Sequence, residues 1–179
     1  MIESLLQTIQ SRQKAFWNRR ETDSLKKRTA YLLFPLISLA AGGLTGLLIR
    51  NSVQQVYPTL IKPWLTPPAW VFPVVWTVLF ALMGIGMAKV VLEGNRESGP
   101  AVFLWALQLI LNVSWSLLFF NGGKYLTALA CLAVLWLVIL AMIREFSQFS
   151  RTAARMQVPY LVWTAFAGYL NLGIWMLNA

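Results

Sequence analysis

Five stretches of this chain carry no charged residue, and each is about as long as a helix must be to cross a bilayer. They run from Thr29 to Ile49, Ala69 to Ala88, Ala101 to Gly123, Tyr125 to Ile143 and Met156 to Asn178. A hydrocarbon layer of ~30 Å takes about 20 residues at 1.5 Å each. Inside lipid the backbone has no water to bond, so a segment must satisfy its own N–H and C=O groups. The runs show no two-residue alternation, which rejects a β-barrel. The chain has 179 residues, of which 58% are hydrophobic and 12% charged. That is half of the roughly 25% charge of a soluble domain. The fold class predicted is therefore all-α: an integral membrane bundle of five transmembrane helices, residues 29–179, behind a basic amphipathic arm, residues 1–28.

The charges set a direction. Of the 15 Lys and Arg residues, twelve fall on one side of the predicted membrane: seven in the arm, then Lys89, Arg96, Arg144, Arg151 and Arg155. Only Arg50, Lys62 and Lys124 fall on the other. In a bacterial cell membrane the positive-inside rule then puts the N-terminus in the cytoplasm and the long first loop outside. In so apolar a chain the net charge of +9 reads as topology and contact with anionic lipid rather than nucleic acid. The arm intersperses Leu5, Ile9, Phe16 and Trp17 among its basic residues, the pattern of an interfacial helix. It reads either as a lipid-surface anchor or as a regulatory arm.

The chemistry is bounded by what is missing. There is no histidine and one cysteine, Cys131. Histidine-ligated haem, the usual zinc sites, Ser–His catalysis and an intrachain disulfide are excluded, and no resident cofactor or metal is implied. No span contains an acid or a base, which argues against a proton relay or ion pump.

The first loop holds the most constrained segment, Lys62 to Trp76, with four of the eight prolines. Proline removes a donor and restricts the residue before it, so this is a stiff loop entering a helix near Pro68. Two readings remain open: an aromatic lid over an apolar ligand, or a helix entry whose tryptophans sit at the membrane interface. Trp105, Gln108, Asn112 and Trp115 share one face of the third span, and Tyr160, Trp163, Ala167, Asn171 and Asn178 one face of the fifth. Amides in a membrane serve either as interhelical glue or as ligand contacts. Trp76, Trp115 and Trp163 are predicted to meet at one cavity, with Ala167 leaving room for something flat. Gly42 and Gly46 form a small-xxx-small pair, for packing within the chain or for a dimer seam.

These residues carry a resemblance. Lys62-Pro63…Pro67-Pro68, Val75-Trp76-Thr77-Val78-Leu79-Phe80, Gln108-Leu109…Asn112…Trp115…Phe119-Phe120 and Val158-Pro159-Tyr160-Leu161-Val162-Trp163-Thr164-Ala165-Phe166-Ala167, then Leu170-Asn171 and Trp175, resemble the translocator protein family, the tryptophan-rich sensory proteins (TspO) or peripheral-type benzodiazepine receptors. The match covers about Lys62 to Asn178. It implies a five-helix bundle, often a homodimer, with a pocket under the first loop that binds porphyrins such as protoporphyrin IX, haem and benzodiazepine-site ligands. Its members are linked to tetrapyrrole transport or stress regulation. The ligand-binding positions so implied or read from the spacing are Lys62, Pro63, Trp64, Trp76, Gln108, Asn112, Trp115, Tyr160, Trp163, Ala167 and Asn171. Some bacterial members are reported to break down protoporphyrin in light, and the tryptophans of that account match Trp76 and Trp163. Three departures stand out. The loop tryptophan is displaced by one place, to Trp64. Cys131 replaces an acid common in the fourth helix. The sterol motif of the fifth helix is broken by Leu172 and lacks its basic residue, so it does not support sterol binding, while Arg155…Tyr160…Val162 fits the reversed motif.

Overall fold

The computed structural model describes residues 2–93 and 97–178, with side chains from Asp23 onward. Its elements are α1 (Ile2–Gln55), a single 3₁₀ turn at Tyr57–Thr59, α2 (Val71–Glu93), α3 (Gly99–Ser116) widening into a π turn at Leu117–Asn121, α4 (Tyr125–Ser147), short α5 (Arg151–Met156) and α6 (Val158–Asn178). No strand occurs among the described residues. Five segments are long and apolar enough to span a membrane, the fifth being α5 and α6 together. The all-α five-span architecture is as the uncharged runs predicted.

Several boundaries differ for local reasons. α1 continues to Gln55, so the first loop begins five residues later than Arg50. α2 starts at Val71 rather than near Pro68, because Pro68 contributes only its carbonyl, bonded by the Val71 N–H at 3.0 Å. The fifth span is broken at Gln157, where the N–H turns back to Ala154 and Pro159 has no donor to continue the ladder. The arm is part of α1 without interruption; its amphipathic stripe (Leu5, Ile9, Phe16, Trp17) lies outside the residues whose side chains are described.

The helices close a ring in the order α1, α2, α5–α6, α4, α3 and back to α1. Chain-adjacent α2 and α3 touch only briefly, although a short connection predicts full neighbours, because α1 reaches both. The end of the bundle nearest Lys89 and Arg155, the basic end, is filled. Met83, Met87, Val90, Ala101, Ile139, Met142, Phe146 and Ala153 are wholly buried there. α1 and α2 approach backbone to backbone on this side. A Cβ on Gly84 would fall 2.3 Å from the Pro35 backbone. Gln157 Nε2 bonds Leu82 O at 3.2 Å and ties the α5–α6 break to α2, in space that Gly86 leaves.

Candidate functional site: an aromatic chamber under the first loop

Toward the opposite end, the loop end, the ring is hollow. A chamber of about 1230 Å³ is lined by α1, the first loop, α2, α3 with its π turn, and α6. This exceeds the ~300–1,000 Å³ of ordinary ligand pockets. α1 contributes Gly42, Gly43, Gly46 and Arg50 on one stripe. Gly42 is pressed on the Phe80 ring, whereas Cβ atoms on Gly43 or Gly46 would meet nothing within 4 Å. The small-xxx-small pair thus divides, one glycine packing within the chain and the other forming a bare wall.

The indoles converge as the spacing predicted. Trp76, Trp115 and Trp163 all line the chamber. Trp76 lies 6.1 Å from Trp115 and 6.2 Å from the Tyr160 ring, and Phe72 bridges toward Trp163 at 6.1 Å. Such edge and tilted pairs hold rings at fixed angles with modest energy, ~0.5–1.5 kcal/mol each. Asn112, Ala167 and Asn171 line the wall, as does Lys62.

The amides act largely as glue. Asn112 Nδ2 donates to the Tyr160 hydroxyl at 3.1 Å. The Trp115 indole N–H donates to Asn171 Oδ1 at 3.1 Å, and Asn171 Nδ2 donates to Tyr125 O at 2.8 Å. These bonds fix the Trp115 ring against the chamber from behind.

Four expected positions lie off the wall. Tyr160 is buried behind Asn112, at 1% exposure, so it is also withdrawn from the lipid face that a reversed sterol motif would need. Gln108 is buried in the filled part, with Nε2 on Met83 Sδ at 3.6 Å. Its helix face turns from chamber to core one turn below Asn112. Pro63 packs against Gly173 on α6. Trp64 points outward, 92% exposed, because its neighbour Pro63 takes the inward place. Cys131 is likewise off the wall, facing Leu111 O at 3.6 Å.

Residues that the sequence reading did not assign to the site complete it. Phe119 and Phe120 enter from the π turn, which Asn121 holds to α1 through Leu48 O (3.1 Å) and Ser52 Oγ (2.8 Å). Phe166 and Leu170 fill the α6 stripe between the predicted positions, and their i, i+4 spacing was the available signal. Tyr57, in the 3₁₀ turn, carries the Lys62 ammonium 5.0 Å above its ring, and burial raises its phenol above the ordinary range. Lys62 Nζ also donates to Pro58 O and Leu60 O. The loop is closed at its far side by Asn178. Its Oδ1 accepts from Ile61 N–H and its Nδ2 donates to Ile61 O, both at 2.9 Å.

No group of three or more metal-ligating side chains occurs among the described residues. The sequence pattern of the TspO/MBR family matches residues 31–176. This chain belongs to the TspO/MBR family. It is 40% identical over 144 residues to the tryptophan-rich protein TspO of Chlorobaculum tepidum, covering 79% of this chain and 91% of that one. With the tryptophan-rich sensory protein of Cereibacter sphaeroides it shares 39% over 150 residues, 83% and 92% of the two chains. With the translocator protein of Bos taurus it shares 34% over 148 residues, 81% and 88%. Family membership and the five apolar spans make it an integral membrane protein. The matched region begins at Tyr31, so this TspO/MBR protein carries its basic arm outside the shared part.

Proposed function

We propose that this protein is a membrane receptor or carrier that binds porphyrins, protoporphyrin IX or haem-type tetrapyrroles, in the aromatic chamber. The observation that supports this most is the pairing of wall and charge. Indoles from three helices line an apolar chamber whose charged residues among those described are Arg50 and Lys62, both cationic. The chain's six acids, Glu3, Glu21, Asp23, Glu93, Glu97 and Glu145, all belong to the arm or to the basic end. A flat conjugated ring stacks on the indoles, while its carboxylates meet Arg50 and Lys62. A ring without bound metal needs no axial histidine. In this reading the N-terminus is cytoplasmic in a bacterial cell membrane and the loop end faces outward.

Titration of protoporphyrin IX into the purified protein should quench tryptophan fluorescence to saturation. Trp76→Phe combined with Trp163→Phe should weaken affinity by at least about tenfold, ~1.4 kcal/mol. Unchanged affinity would remove the chamber from the binding reading.

A second reading, light-dependent breakdown of the bound porphyrin, draws on the ring relay from Trp76 to Trp115 and Tyr160 beside the ligand. Illumination in air should then yield a new chromophore over many turnovers, and loss of that product in Trp76→Phe would tie it to the chamber. A regulatory role through the arm predicts instead that deleting residues 1–28 abolishes the cellular effect and leaves porphyrin affinity intact.

A further inference from the structure

The first loop covers the chamber with one face, and its other face is apolar and exposed. Ile61, Trp64, Leu65 and Trp70 are exposed by 61%, 92%, 52% and 68%. Bulk water is a poor medium for two free indoles and two aliphatic side chains in one ten-residue segment. Whether water surrounds them depends on depth, which two contacts to α6 and two length counts along the spans fix.

Ile61 is paired with Asn178 in the last turn of α6. Two residues later Pro63 lies against Gly173, whose missing side chain admits it: a Cβ there would be 2.9 Å from the proline ring. Gly173 precedes Asn178 by five residues, about 7.5 Å along the helix axis. Two extended residues span at most ~7 Å, so from Ile61 to Pro63 the chain descends along α6 from its last turn toward the membrane centre. Trp64 follows at the level of Gly173. A ruler along the fifth span agrees. The ~30 Å of hydrocarbon counted from Arg155 at about 1.5 Å per residue ends near Trp175. The same length counted back along α2 from Lys89 ends near Ala69, beside Trp70. Both rulers put the two exposed indoles at the hydrocarbon edge, where amphipathic aromatic rings are favoured.

We infer that the outer face of the first loop is a membrane-embedded surface: Trp64 and Trp70, with Ile61 and Leu65, sit in the headgroup–acyl boundary of the leaflet at the α6 C-terminal end. The loop is a re-entrant flap between lipid and chamber, not a strand of chain in water. The same short stretch therefore divides its tryptophans, Trp76 to the chamber and Trp64 and Trp70 to lipid. This holds whatever the chamber binds.

The test uses the full chain in phosphatidylcholine–phosphatidylglycerol nanodiscs with Cys131→Ala as background. A nitroxide is placed by Trp64→Cys, with Leu137→Cys on the lipid face of α4 and Glu97→Cys at the basic end as references. Because Trp64 is almost wholly exposed, its replacement leaves the packing untouched. At position 64, collisions with oxygen should exceed those with a water-soluble nickel chelate, placing the label about 5–10 Å below the phosphate level. As a second readout, Trp64→Ser should remove part of the tryptophan emission that lipids brominated near the headgroup quench. A label at 64 as open to nickel as that at 97 overturns the inference. So does strong spin–spin broadening at 64, which would show a second copy of the chain covering this face.

Discussion

The two ends of this bundle are made from the same kinds of residue and solve opposite problems. At the basic end, methionines, aliphatics and small residues fill the ring completely, and Gly84 exists so that α1 and α2 can touch backbone to backbone at Pro35. At the loop end, Gly43 and Gly46 face open space. Glycine closes a helix pair in one half and keeps a chamber open in the other. α1 and α2 touch at Gly84 on Pro35 and again at Gly42 on the Phe80 ring, and the chamber opens from that second contact toward the loop. Aromatic rings wall the hollow, and one of them, Trp115, has its angle held by the Asn171 amide behind it.

The sharpest way to break this comparison is one substitution made at both ends. Gly84→Ala should destabilise the protein by about 3 kcal/mol, since the added methyl meets backbone that cannot rotate away; thermal unfolding in detergent would read it. Gly46→Ala should do the opposite, raising stability by up to ~1 kcal/mol through helix propensity. Equal effects of the same sign would mean that the two ends are not packed differently. Next in size, Gly46→Leu fills the chamber and should cut protoporphyrin IX affinity by about tenfold, ~1.4 kcal/mol, while the melting temperature stays level or rises.

The closure of the loop end gives a smaller effect. Asn178→Ala removes the paired bonds to Ile61, worth ~1 kcal/mol in net terms. Proteolysis between Leu60 and Trp70 should accelerate severalfold with little change in global unfolding. The smallest effect concerns pH. Tyr57 has its phenol raised by burial, so the folded loop favours the neutral form. That contribution is complete below the unfolded value near 10 and is lost as pH rises through the higher folded value. Loop protection should be flat from about pH 6 to 9 and fall above 10. Tyr57→Phe should delay that fall while leaving Lys62 over the ring.

Much of the fold could be read directly. Five uncharged runs dictated five spans, since neither water nor a β-barrel could accommodate them. The convergence of Trp76, Trp115 and Trp163 was legible because helical spacing puts each on an inward stripe. Trp64 was not. Its residue type suits the chamber as well as lipid, and its direction was settled by Pro63 docking on Gly173, 110 positions away in the chain. Gln108 shares a face with Asn112, yet the chamber floor passes between them, and no periodicity marks where a cavity stops. The π turn that delivers Phe119 and Phe120 rests on Asn121 reaching α1, a contact without local signature.

Residue order alone determined that this chain must live in a bilayer, how many times it crosses, and which stripes turn inward, because those follow from the cost of burying charge and from the 3.6-residue period. It did not determine whether the interior is full or empty. That was decided by where α1 and α2 touch and where they part, through contacts between residues distant in the chain, and by whether a glycine meets a neighbour or a void once the helices are assembled.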